Sequence, residues 1–545
     1  MGPCDRAQQD VRCRPARRFV YASVMQTIQH PAPNTREELV AYARLQARVG
    51  DLFRKLSTYP RIPQTVVVVP SLSLDPRELA KVKGVWHYEE RMLVNLMLLR
   101  QPRTKIIYVT SAQIDPAIID YYLALLPGVP ASHARRRLVM IQCNDASDQP
   151  LTAKILARPR VLDKIRSEIL DPELAHIVCF NSSPLERTLA VRLGIPLHST
   201  DPALNDLGTK SGCREVFRAA GVLLPLGYER LGSHVEMAKA LALLKKQRPE
   251  ARRAVVKLNE GFSGEGNAVF PLADLDPKSA ELELARKIYE LLPERLRYEA
   301  PQESWDSFSQ KFGEMQGVVE EFVEGEIKQS PSAQCRVNAL GLPQVISTHD
   351  QVLGGPSGQV FLGCRFPADD GYRLEIQEAG ACIAAELAER GVMGRFGIDF
   401  VSVQQPDGAW EHYAIEVNLR KGGTTHPFLT LKFLTDGTYD TETGHFFSQS
   451  GRPKYYFATD TIQSDRYIGL RPDDLIDISV FHNLHFHGPS ERGVVFHLIG
   501  ALSQFGKLGV VAIGDNRKQA DFLYKQTLQV LDEETGPNWH RSREA

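Results

Sequence analysis

The sequence predicts a multi-domain α/β protein with an α+β section in its middle. Three observations point there. The chain has 545 residues, too many for one hydrophobic core and enough for about three domains. Short β-branched runs such as TVVVVP and KIIYVT alternate with helical segments in the first third, as buried parallel strands do with crossover helices. Further on, period-two alternation and glycine-rich turns replace that pattern, as expected of antiparallel hairpins.

Composition narrows the class. Hydrophobic residues make up 43% and charged residues 24%, which suits an ordinary globular chain. Lys+Arg 65 against Asp+Glu 66 leaves a net charge of −1, so there is no electrostatic footprint for nucleic acid or an anionic membrane. No apolar run approaches the ~20 residues of a membrane span. The eight cysteines are scattered without C-x-x-C spacing, which argues against a disulfide scaffold or zinc ribbon and for a reducing, cytoplasmic compartment. Residues 1–35 read as an Arg-rich disordered tail without the apolar core of a secretory signal, with Met25 as an alternative start. Gly2 is not a myristoylation site, because position 6 is Arg6.

The elements follow in order. A helix over about Thr35–Lys55 precedes the strands TVVVVP and KIIYVT; DPAIIDYYLALLPG reads as a helix, and RLVMIQC and HIVCF as strands. This makes an α/β domain over about 36–205, with no catalytic motif. A second unit opens with a helix from about Lys210 to Ala220, stopped by Gly221 and followed by Pro225. A strand then carries Lys257 towards a loop holding Gly261, Gly264 and Gly266, and a second strand follows. Such a loop can cradle phosphate oxygens with its N–H groups, or be a plain turn. It is not a P-loop, since Gly-Lys-Ser/Thr and the following helix are missing. Glu320–Val323 and about Ile327–Ala339 read as strands, the second with Gln334, Arg336 and Asn338 on one face. VISTHDQVLGG continues as a strand and turn, and a helix near Ile376–Arg390 leads to GRFGIDFVSV and AIEVNLRKGGTTHP.

Those last two segments carry the most chemistry. PDG between them signals a turn, and Asp399 and Glu416 are equidistant from the Asp407–Gly408 bond, so a symmetric hairpin sets them opposite each other. Glu416, Asn418 and Arg420 alternate with Ile415, Val417 and Leu419. Facing carboxylates repel, and a carboxylate pair with an amide oxygen suits a hard cation such as Mg²⁺ or Mn²⁺. A solvated hairpin with its register slipped by one residue is the alternative. In the final segment, His482, His485 and His487, with His497 beyond, suggest a metal, but no single regular element collects them; hydrogen-bonded or substrate-facing histidines fit better.

Taken in order, Lys210 before a helix, Lys257 before a glycine loop, VVEEFVEG, then Asp399, Glu416 and Asn418 resemble the ATP-grasp superfamily across roughly 206–425. EGEIKQSPSAQCRV, ISTHDQVLGG, GCRFPA and EVNLRKGGTTHP are similar to the pheganomycin-type peptide ligase branch, a similarity that covers almost the whole chain after the tail. The resemblance implies a pre-ATP-grasp domain at 36–205, an ATP-grasp domain at 206–430 and a C-terminal domain at 431–545. It implies ATP with Mg²⁺ or Mn²⁺, and phosphate contacts from Lys210 and Lys257 under a lid loop of Gly261, Ser263, Gly264 and Gly266. Glu320, Glu321, Phe322 and Val323 would line the adenine, with the main chain of Glu321–Val323 as hinge. Glu326 would meet the ribose, one residue short of the usual carboxylate position, where this chain has Ile327. Asp399, Glu416 and Asn418 would hold the metals, Arg420 would face the transferred phosphate, and Arg336 would be a second cation.

The implied reaction is carboxylate–amine ligation through an acyl phosphate, releasing ADP and phosphate, on small-molecule carboxylate and amine or peptide substrates. A different ATP-grasp reaction, such as a kinase or a thioester- or ester-forming ligase, and a non-catalytic ATP-binding protein are the alternatives.

Overall fold

The computed structural model describes residues 30–74, 79–80, 82–260, 266–300, 302–354 and 360–536. Residues 1–29 of the expected tail, and Gly261, Ser263 and Gly264 of the expected loop, lie outside them. The end of that tail is tied in: Thr35 caps the first helix, and Asn34 Oδ1 accepts a hydrogen bond from Arg187 at 2.6 Å.

The first third is a parallel four-stranded sheet in the order Leu138–Gln142, Thr104–Thr110, Gln64–Val69, Ala175–Cys179. Val66 to Val69 are all buried, so the sheet is covered on both faces, which is why these strands read as continuous apolar runs. The single helix expected over Thr35–Lys55 is two, Arg36–Gln46 and Val49–Thr58. The break falls where the Gln46 amide exchanges two hydrogen bonds with the Leu197 backbone, at 3.0 and 2.9 Å. A 3₁₀ helix, Val85–Arg100, was not legible in the sequence.

Next comes a five-stranded antiparallel sheet ordered Gly227–Leu231, Gly317–Glu321, Arg253–Leu258, Asn267–Pro271, Arg297–Tyr298. Its apolar face packs on the helices His234–Gln247 and Glu281–Arg295 through Leu241, Leu244, Val256, Phe270 and Ile288. The strand expected at Glu320–Val323 starts three residues earlier and ends at Glu321.

A nine-stranded sheet forms the centre and contains the hairpin Gly394–Gln404/Trp410–Asn418. The last hundred residues extend it: Val360–Phe366 pairs with Tyr455–Gln463, which pairs with Lys507–Gly514. One core also joins Leu96 and Tyr108, Phe366 and Phe428, and Val495 and Val511. The first third and the last hundred described residues therefore share one hydrophobic core with strands of the central sheet.

Candidate active site

In the hairpin, Asp399 is the register partner of Glu416, by a less direct route than a symmetric turn. The pairs from Gln404↔Trp410 to Phe400↔Ala414 are symmetric about Asp407, which would set Asp399 opposite Ile415. A bulge inserts Ile415 as an extra residue and makes Glu416 the partner. Bulges re-aim side chains beside active sites, and here Ile415 and Glu416 both line a cavity of about 710 Å³. Ile415 thus leaves the apolar face expected of it, while Val417 and Leu419 stay in the core.

The two carboxylates have different surroundings. Asp399 accepts from Asn418 Nδ2 at 2.9 Å and from Gln351 Nε2 at 2.7 Å. Burial and the neighbouring Glu416 charge push its carboxyl up to about 7. Glu416 is 2.5 Å from Lys210 Nζ. Burial pushes the Glu416 carboxyl up, the Lys210 ammonium overrides it, and the net shift is downward. Lys210 stands at the start of the helix Lys210–Ala219, where a cation opposes the helix dipole, and Glu416 offsets that cost. Among the described residues no group of three or more His, Cys, Asp or Glu side chains could hold a metal. The donor set is instead two carboxylates and one amide, and burial and the repulsion between the carboxylates raise the Asp399 carboxyl. These residues fit a hard divalent cation that takes its remaining oxygens from phosphates.

A second charged cluster lies on the other wall. Lys257 pairs with Glu320, which also meets Arg214 Nη1 at 2.9 Å. In register Glu320 stands opposite Val255 and diagonal to Lys257. The Arg214, Lys257 and Glu320 side chains are only 3%, 8% and 4% exposed. Burial pushes Glu320 up, Lys257 and Arg214 override it, and it stays ionised. Glu320 is thus foremost a buried counterion, a role the sequence reading did not give it.

The other expected nucleotide contacts divide. Lys210, Lys257, Gly266, Glu321, Phe322 and Val323 all line the cavity. The Glu321 N–H is already donated to Leu226 O at 2.7 Å, and the Arg253 guanidinium covers the Phe322 ring at 3.9 Å. Glu326 is exposed and off the cavity, because the chain bends there between strands; Lys328 and Ser330 line it instead. Arg336 is off it too. Two residues along the strand from the cavity-lining Gln334 is roughly 7 Å, which carries Arg336 past the rim to Gln344 and to its register partner Arg395. Arg420 lines the cavity with Asp399, Glu416 and Asn418.

Sequence reasoning missed Gln351, Ser332, Arg91 and Asp460, all of which line this cavity. Gln351 carried a signal, since it is two residues from His349 and from Leu353 on a predicted strand and so on their face. Arg91 and Asp460 carried none, being ion-paired across 369 positions. The histidines of the last segment go separate ways: His482 bonds Glu534 at 2.8 Å, His487 bonds Ser490 at 3.0 Å, and His485 bridges to Val494.

The comparisons agree with this geometry. The family model described as IQCH-like, ATP-grasp matches residues 202–296 and 277–442, and that described as PGM1 C-terminal domain matches 475–527. The chain is 30% identical over 478 residues to L-propargylglycine–L-glutamate ligase of Streptantibioticus cattleyicolor, across 87% of this chain and 94% of that one. It is 23% identical over 421 residues to IQ motif-containing protein H of Danio rerio, across 70% of this chain but 40% of that protein. A solved biotin carboxylase from Campylobacter jejuni aligns with a TM-score of 0.50 at 14% identity, over 89% of this chain and 97% of that one, a likeness of fold alone. The small antiparallel sheet, the central sheet and the facing carboxylates that the central sheet carries define an ATP-grasp protein. More narrowly, the chain belongs to the pheganomycin-type peptide ligase branch of that superfamily.

Proposed function

We infer that this chain is an ATP-dependent carboxylate–amine ligase working through an acyl phosphate. One observation carries the reading: Asp399 and Glu416 face each other in a cavity that also holds Lys210, Lys257, Asn418 and Arg420. Lys257 and Lys210 would bind the nucleotide phosphates, each exchanging a carboxylate partner for phosphate oxygens. Mg²⁺ or Mn²⁺, held by Asp399, Glu416 and Asn418, would neutralise charge on the β- and γ-phosphates. Arg420 would stabilise the transferring phosphoryl group. A substrate carboxylate oxygen attacks the γ-phosphorus and ADP leaves; an amine then attacks the acyl carbon and phosphate leaves with one former carboxylate oxygen. Glu320 stays on Arg214 and beside Lys257, and Val323, past the end of its strand, offers backbone to the adenine, the Phe322 N–H being already donated to Arg253 O at 3.4 Å.

The domain division at 205 and 430 belongs to this reading, with the cavity drawing residues from all three parts. Six free cysteines among the described residues support a reducing, cytoplasmic setting, and no helix among them is long and apolar enough to cross a membrane. The test uses carboxyl-¹⁸O substrate: one label should appear in the released phosphate. Release of AMP and pyrophosphate would overturn the acyl phosphate, and a stable phosphorylated product would make the protein a kinase.

A further inference from the structure

The cavity has an end that the nucleotide reading does not use. Arg91, from the 3₁₀ helix Val85–Arg100, and Asp460, from the strand Tyr455–Gln463, meet there as an ion pair with side chains 15% and 13% exposed. Both are turned inward by specific features. The Arg91 guanidinium lies 4.0 Å over the Tyr88 ring, and its Nε is buried without a partner. Asp460 sits where the register of its strand shifts between Thr459 and Ile462, a bulge that aims it into the cavity.

Polar atoms gather behind the pair. A small adjoining cavity is lined by Arg91, Asp460, His426 and His497, and it shares Gly422 and Gly423 with the main one. His426 is 5% exposed, and its Nδ1 has no partner. Buried polar atoms of this kind are unusual in a finished core and mark a place where something else supplies the hydrogen bond.

The pair stands near Arg420: Gly422 and Gly423, two and three residues past Arg420, line both cavities, as do Arg91 and Asp460. Two guanidinium groups near each other, with one carboxylate beside them, match a ligand that carries a carboxylate next to an ammonium. Leu72, Leu74 and Val82, from the same part of the chain as Arg91, line the cavity and offer an apolar wall for a side chain.

We propose that this end binds the carboxylate substrate as a free α-amino acid, its carboxylate between Arg420 and Arg91 and its ammonium on Asp460. The proposal rests on the ligase reading, since it places the carboxylate where the transferred phosphate arrives. The ammonium takes over Asp460 as Arg91 turns to the carboxylate, so the ion pair is exchanged rather than broken.

Hydroxylamine as the amine isolates this half of the reaction. The protein is incubated with ATP, Mg²⁺, hydroxylamine and each common L-amino acid, beside its N-acetyl derivative, and ADP and hydroxamate are read. At least one free amino acid should react, and its N-acetyl derivative should react less than about one tenth as well. Asp460→Asn should raise KM for that amino acid about tenfold or more while KM for ATP stays within about twofold. Arg91→Lys, which keeps the charge but loses the planar fork, should do the same and serves if Asp460→Asn does not fold. Equal reaction of N-acetyl or amine-free acids, or an unchanged amino-acid KM in a folded variant, would overturn the proposal and leave the ligase reading standing. Reaction with other carboxylates while every amino acid is silent would do so as well. Silence with every carboxylate, despite ATP binding, would overturn both.

Discussion

Glu320 is the residue whose replacement separates structure from nucleotide contact. Among the described residues it is the one carboxylate bonded to both Lys257 and Arg214, and all three side chains are less than a tenth exposed. Removing one partner of a buried ion pair costs about 3–5 kcal/mol, because the remaining charge is left without compensation. In Glu320→Gln Lys257 loses its counterion while Arg214 keeps Glu229 at 3.2 Å, so we predict a loss at the lower end of that range, about 3 kcal/mol. At about 2–4 °C per kcal/mol for a unit of this kind, the melting transition should fall by roughly 6–12 °C without nucleotide. Lys257→Met is the contrast: Glu320 keeps Arg214 at 2.9 Å, so the transition should move much less. The binding result should reverse. Lys257→Met should weaken a non-hydrolysable ATP analogue by about 1.5–3 kcal/mol, the worth of a charged hydrogen bond, or tenfold and more in Kd. Scanning calorimetry and titration calorimetry on both variants decide it. A Glu320→Gln protein melting within about 3 °C of wild type would refute the counterion role, and unchanged affinity in Lys257→Met would refute the phosphate role.

Three further predictions follow from the same geometry. Glu416→Gln should abolish metal-dependent ATP turnover and destabilise the fold by about 3 kcal/mol, because Lys210 is left buried and unpaired; Glu416→Gln with Lys210→Met should regain stability but not activity, and regained activity would sink the metal assignment. Acid sensitivity should come from buried histidines: burial holds His349 and His497 down to about 3 and His176 to about 4. The unfolded chain then binds more protons, so stability is full above about pH 6.5 and falls as pH drops towards 3–4, by about 2 kcal/mol per histidine at pH 5; urea midpoints should show this, with a shallower slope for His349→Gln. Arg336→Gln should leave ATP turnover within about twofold of wild type, since Arg336 is off the cavity; a loss of about a hundredfold in steady-state ADP release would restore it as a catalytic cation.

The sequence by itself determined what depends on neighbours in the chain. Apolar runs settled the parallel strands, Gly221 stopped the Lys210–Ala219 helix, where it takes φ +68°, and spacing about the PDG turn brought Asp399 near Glu416. Order along the chain then identified the superfamily, because each motif keeps its place whatever the loops do. Tertiary structure decided what depends on distance across the fold. Only the pairing of sheets shows that Lys210 answers Glu416 and that Glu320 answers Lys257 and Arg214, since those partners come from separate strands and helices. Strand length likewise carried Arg336 beyond the rim and a bend put Glu326 outside, where periodicity alone had kept both in line. Arg91 and Asp460 are the extreme case. Nothing in either local stretch marks them, and they meet because the first and last parts of the chain share one hydrophobic core, which brings a charge from each to the same end of the cavity.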